Sequence, residues 1–122
     1  MLLVFYHLHL LPKMLMIILL EEQRYILKSN NENVIEHSIE KIALWGYWKT
    51  VNSKEQADFI LNLDANFSLF YTINAQAITK DNKIIKRFKS KNSFKSLDAN
   101  PKRGAVKALF DKEIIPFVHR LY

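Results

Sequence analysis

The chain has 122 residues, is 49% hydrophobic and carries 18 Lys and Arg against 12 Asp and Glu, which suits one domain with a continuous core and argues against a second. Zero cysteines exclude a disulfide framework, a thiolate zinc site, a cysteine nucleophile and a lipidated cysteine anchor, and two glycines with three prolines leave no flexible linker or low-complexity segment. The net charge of +6 is uneven: residues 80 to 112 hold eleven basic and three acidic side chains, whereas residues 1 to 79 hold six and eight.

Leu2 to Leu20 is almost wholly apolar, reading LLVFYHLHLLPKMLMIILL, and would reach across a bilayer as one helix. Lys13 and two histidines are costly in hydrocarbon, and Pro12 breaks a helix near its middle. No positive residue precedes the run, and Glu21-Glu22 stands where a signal peptide needs small residues. The expectation is a buried strand from about Leu15 to Leu20 behind an uncertain extension over residues 1 to 13. A membrane or export segment is the alternative, as is a true start at Met14 or Met16. His7 and His9 would share a strand face at metal-ligand spacing, but no third or fourth ligand is near, so no metal is expected there.

Ser29-Asn30-Asn31-Glu32 has capping-box spacing, and Ile35, Ile39 and Ile42 recur at helical intervals before Gly46, a residue suited to a left-handed stop. The isoleucine stripe is expected on a sheet, with Glu36, Glu40 and Lys41 toward water. His37 and Glu40 lie three apart, a spacing that di-iron bundles use in duplicate; here it occurs once and reads as a solvated face. Tyr47 to Val51 follows as a short strand. Ser53-Lys54-Glu55-Gln56 repeats the capping pattern and predicts a short connecting helix.

Phe59, Leu61, Leu63, Ala65 and Phe67 alternate with Ile60, Asn62, Asp64 and Asn66, the period-two pattern of a strand with one buried face. Tyr71, Ile73, Ala75 and Ala77 continue it in a second strand, and Lys80-Asp81-Asn82-Lys83 supplies turn chemistry for a hairpin into Ile84 to Ser90. Asn92 to Asn100 reads as a polar loop, with Phe94 and Leu97 available to hold it to the body. Asn100 is a helix cap and Pro101 sits at the first helical position. Val106, Phe110, Ile114, Phe117 and Leu121 form the apolar stripe, and Pro116 is expected to kink the helix or end its regular part after about four turns.

These segments predict an α+β fold over residues 14 to 122: a two-layer domain with a mixed, mostly antiparallel sheet and helices on one face, in the order β-α-β-(short α)-β-β-β-α.

The phrase Leu44-Trp45-Gly46-Tyr47-Trp48-Lys49-Thr50-Val51-Asn52-Ser53-Lys54-Glu55-Gln56-Ala57-Asp58-Phe59-Ile60-Leu61 resembles small α/β domains of bacterial envelope proteins, the TolB amino-terminal domain and CsgG-like families. In those a helix ends in a glycine, a strand carries an aromatic and a valine, and an Ala-Asp pair precedes a strand. The resemblance of order covers roughly residues 14 to 121 and implies a non-enzymatic, envelope-associated binding or assembly module, often periplasmic, with an unidentified protein partner. Anchoring through a cysteine has no counterpart here, a cytoplasmic location is the alternative, and no functional residue transfers.

No catalytic grouping emerges. Asp58 and Asp64 are expected in a turn and mid-strand, apart from one another, and Ser53 and Ser68 lack an adjacent His/Asp pair or nucleophile-elbow glycines. There is no phosphate loop or dinucleotide fingerprint, so no cofactor is expected. One feature stands out, the basic cluster Lys83, Lys86, Arg87, Lys89, Lys91, Lys95, Lys102 and Arg103. It predicts an anion-binding or partner-binding surface for nucleic acid, anionic lipid or an acidic protein. Lys86 should share a face with Phe88, with Arg87, Lys89 and Lys91 on the other. The same lysines equally suit an outer strand protected against edge-to-edge pairing.

Overall fold

The computed structural model describes residues 24–68, 71–89 and 100–121. The expected strand Leu15 to Leu20, the extension over residues 1 to 13, His7, His9, Lys91, Lys95, Phe94 and Leu97 lie outside them. The described elements are β1 (Arg24–Ser29), α1 (Glu32–Trp45), β2 (Lys49–Thr50), β3 (Phe59–Asn66), β4 (Thr72–Ile78), β5 (Ile84–Lys89), α2 (Pro101–Leu109), a π-helical segment (Phe110–Ile114) and α3 (Ile115–Arg120). The five strands form one sheet in the order β2-β1-β3-β4-β5. β1 runs parallel to β2 and β3, while β4 is antiparallel to β3 and β5. The fold is the expected α+β arrangement with a mixed sheet.

β1 carries no alternation that the sequence pattern could reveal, and nothing was expected at Arg24 to Ser29. It lies between β2 and β3, and Tyr25, Ile26 and Leu27 are all at least partly out of solvent. A strand with apolar residues on both faces reads as a short apolar run rather than as period two. Its start is pinned to β3. The Arg24 guanidinium donates from Nε to Asp58 Oδ2 and from Nη2 to Asp58 Oδ1, each at 2.9 Å, and the Arg24 N–H donates to Oδ2 at 3.2 Å. The hydrogen bonds from Arg24 hold the Asp58 carboxyl below its ordinary pKa, against a smaller opposing effect of burial.

The start of α1 corrects the capping expectation. Asn31, not Ser29, is the cap, its side chain accepting from the N–H groups of Asn33 and Val34. β1 runs through Ser29, whose hydroxyl instead accepts from the Asn31 N–H at 3.2 Å. The buried line of α1 is Val34, Ser38 and Ile42, so the expected isoleucine stripe is displaced: Ile39 is 40% exposed and Ile35 half-buried. Positions four apart run along one face, and Val34 begins that line where Ile35 flanks it. Gly46 stops the helix as expected, at φ 72° and ψ 10°, in the left-handed region that glycine enters without Cβ strain.

The expected short helix after β2 is a single turn, in which the Gln56 N–H donates to the Ser53 carbonyl at 3.2 Å and approaches its hydroxyl at 3.4 Å. It cannot continue, because Ala57 is buried and Asp58 is committed to Arg24. β3 and β4 bury Phe59, Leu61, Leu63, Ile73, Ala75 and Ala77 in the core as expected, but Ile60, expected on the solvent side of β3, is buried as well. The β4–β5 turn closes with the Thr79 N–H donating to the Lys83 carbonyl at 2.8 Å. Asn82 there has φ 68°, a region asparagine tolerates. The hairpin carries a bulge at Ala77/Ile78.

Asn100 caps α2, accepting from the Arg103 N–H at 3.2 Å, and Pro101 opens the helix. The regular part ends sooner than four turns: α2 stops at Leu109, and a π-helical segment carries the chain into α3. The Ile115 N–H bonds to the Phe110 carbonyl, five residues back. Pro116 has no N–H to offer one turn back, and its ring crowds that carbonyl; the wider π turn relieves both constraints without ending the helix. Val106, Phe110 and Ile114 are fully buried, and beyond the π turn Val118 joins them while Phe117 is half-buried.

Tyr25 ties these parts together. It is fully buried, with ring centroids 5.9 Å from Trp48 and 6.0 Å from Phe59, and its hydroxyl shares a 2.6 Å hydrogen bond with Thr50 Oγ1 on β2. Burial pushes its pKa from 10.0 up to about 12, with the Thr50 hydrogen bond pulling slightly the other way. Between these values the unfolded chain loses its phenolic proton and the folded chain keeps it, so stability falls as pH rises through that window. Tyr25→Phe is expected to cost about 1 kcal/mol near neutral pH by removing the hydrogen bond to Thr50 and to flatten the alkaline loss of stability, both measured by urea unfolding across pH. Gly46→Ala meets open space, with nothing within 4 Å of the added Cβ. Its expected cost of about 1 kcal/mol in the same unfolding measurement is backbone strain alone.

Candidate ligand-binding face of the sheet

The registers of four strands set the outer face, opposite the helices, in rows. Ile26, Ile60, Ile78 and Ile84 form one row, Lys28, Asn62, Gln76 and Arg87 the next, and Asp64, Asn74 and Lys89 a third. The isoleucine row is partly shielded, Ile60 at its middle being 1% exposed and Ile84 at the β5 edge 42%. The other two rows are polar, and all their members are exposed except Gln76, which is half-buried. Among the described residues, none of these polar side chains makes a hydrogen bond or ion pair. Their amides, three cations and one carboxylate are thus uncommitted among the described residues. They surround a shallow depression of about 420 Å³ lined by Asn30, Asn62, Leu63, Asp64, Asn74 and Gln76.

Asn30 shapes one rim. Its Nδ2 donates to the Ala65 carbonyl at 3.0 Å and its Oδ1 accepts from the Ala65 N–H at 2.9 Å. The side-chain amide thus continues the β1–β3 pairing one step past the end of β1, holding the loop beside Asp64.

The predicted basic cluster is divided by the fold. Arg87 and Lys89 lie on the outer face, as their alternation predicts. Lys86 lies on the inner side with Phe88, its Nζ 4.9 Å from the Phe117 ring centroid, where the aromatic face stabilises the charge. Lys83 is exposed in the hairpin, 3.9 Å from Asp81 Oδ2. The Thr79 hydroxyl donates to Asp81 at 2.5 Å and holds its pKa below the ordinary value, and the Asp81 carboxylate offsets part of the Lys83 charge. Lys102 sits above Phe67, 5.9 Å from its centroid, and Arg103 faces the groove between α1 and α2. Lys28 joins Arg87 across two intervening strands. Sequence spacing could not show this, because the pairing of β1 with β3 brings it there.

No catalytic grouping forms from the candidates considered. Asp58 is bound to Arg24 just before β3, and Asp64 lies six residues further on within β3, about 20 Å away at the strand rise. The Ser53 hydroxyl serves its turn, and Ser68 donates to Asn66 Oδ1 at 2.8 Å. Among the described residues no three His, Asp or Glu side chains gather as metal ligands would, and no described helix is long and apolar enough to cross a membrane.

In comparisons with known proteins, the chain matches no family model, no curated protein and no solved structure.

Asn30→Ala removes both bonds to Ala65 and is expected to lower unfolding stability by about 1 kcal/mol, the net worth of exposed amide hydrogen bonds. Faster amide exchange at Ala65, read by NMR, is the accompanying local sign.

Proposed function

We propose that this chain is a non-catalytic binding module whose polar outer sheet face takes a single-stranded nucleic acid. The observation that carries this reading is the alignment, across four strands, of amides without a partner among the described residues with Lys28, Arg87 and Lys89 against the single acid of these rows, Asp64. Cations meet phosphates, and amides offer donors and acceptors to base edges on an unpaired strand. The described rows present no aromatic ring, so base stacking plays no part and phosphate contacts carry the affinity. Such binding weakens steeply with salt.

A second reading, an envelope-associated assembly module binding a protein, draws support from the resemblance at Leu44 to Leu61. The residues of that phrase also have roles in folding: Trp48, Ala57, Phe59 and Leu61 are buried, Gly46 stops α1, and Asp58 holds Arg24. Fractionation that finds the native protein only in the cytosol would overturn this second reading.

Salt-titrated binding to single-stranded RNA and DNA and to anionic vesicles tests the first reading. Three phosphate contacts predict a log–log salt slope of about −2, falling to about −0.7 in the Arg87→Gln, Lys89→Gln double variant. No binding at low salt, or a slope unchanged by that variant, would reject the outer face as the nucleic-acid surface.

A further inference from the structure

We infer that the groove between α1 and α2 is a separate binding site for a compact, doubly charged oxyanion of the phosphate monoester kind. The groove encloses about 220 Å³ and is walled by one face of each helix, His37, Glu40, Lys41 and Leu44 on α1 opposite Arg103, Val106 and Lys107 on α2. It lies in the helical layer, away from the outer face of the sheet.

The charges on its walls are unequally satisfied. Lys41 is engaged by Asp111, Nζ to Oδ1 at 2.6 Å. Arg103 and Lys107 stand one turn apart on α2, and among the described residues neither side chain has an acidic partner. Like charges at that spacing repel, and an anion between them attracts both. His37 adds a polar group at the opposite wall: its side chain is only 14% exposed, its Nδ1 is buried without a hydrogen bond, and Glu40 Oε2 lies 3.9 Å from it. Val106, 1% exposed, gives the groove an apolar base, where charge-assisted hydrogen bonds are stronger than in open water. Glu40 opposes an anion, but it is 57% exposed and correspondingly screened. Two cations without an acidic partner among the described residues match two negative charges, and the volume suits a headgroup-sized ligand rather than a large one.

The test uses the full chain at constant ionic strength, titrated with inorganic phosphate and separately with acetate, and followed by NMR. Saturable shifts with phosphate are expected at residues 37 to 44 and 103 to 107, with acetate clearly weaker. Arg103→Gln and Lys107→Gln are each expected to weaken phosphate binding about tenfold, the loss of one charge-assisted contact. Both residues are exposed, so the variants should stay folded, and their amide spectra report it. Shifts that rise linearly with phosphate, affinity unchanged in both variants, or acetate binding as tightly as phosphate would each overturn the inference. Lys89→Gln, on the other face, is expected to leave phosphate binding unchanged, so this site and the nucleic-acid surface succeed or fail separately.

Discussion

Burial of Tyr25 is the constraint around which the parallel half of the sheet is arranged. The ring needs apolar neighbours and the hydroxyl needs a partner, and both needs are met only when β2, β1 and β3 lie side by side. Trp48 and Phe59 flank the ring, and Thr50 receives the hydroxyl. Parallel neighbours cannot be joined by a tight hairpin, so the chain must cross over through α1 to return to β2. Gly46 then turns it sharply enough for Trp48 to reach the core. Beside Tyr25 in sequence, Arg24 binds Asp58 and locks the entrance of β1 to that of β3.

That arrangement leaves the sheet with two unlike faces. The inner face of β3 and β4 is apolar and closed by α1, α2 and the π-helical segment. Beyond the isoleucine row, the outer face presents amides and cations whose hydrogen-bonding capacity is not used within the described residues. Water satisfies these groups at little cost, as on the solvated face of any antiparallel sheet. Binding is the function that would make use of their alignment. The groove between α1 and α2 differs in kind, since Arg103 and Lys107, without an acidic partner among the described residues, share one wall of it.

Local chemistry was readable wherever a feature depends on neighbours in sequence. Asn100 and Pro101 announce α2, Gly46 announces the end of α1, and the alternation of β3 and β4 announces two strands with one buried face. Features requiring a distant partner were less readable. Ser29 and Glu32 have the spacing of a capping box, yet the pairing of β1 with β3 runs through Ser29 and passes the cap to Asn31. His37 looked like part of a solvated helix face, and it is mostly buried only because α2 lies against α1.

The positive charge of residues 80 to 112 shows the same division. Composition and spacing located the basic residues and foretold that Lys86 and Arg87 would face opposite ways, because side-chain direction along a strand follows from its period of two. Only tertiary structure decided which charges meet. It set Lys86 over Phe117, moved Arg103 into the interhelical groove and brought Lys28 into line with Arg87. The sequence by itself thus determined the α+β class, the helix boundaries at Gly46 and Asn100, and the two-faced character of β3 and β4, all consequences of short-range backbone preference. The rows of the outer face and the walls of the groove arise from strand register and helix packing, which join residues that no local pattern connects.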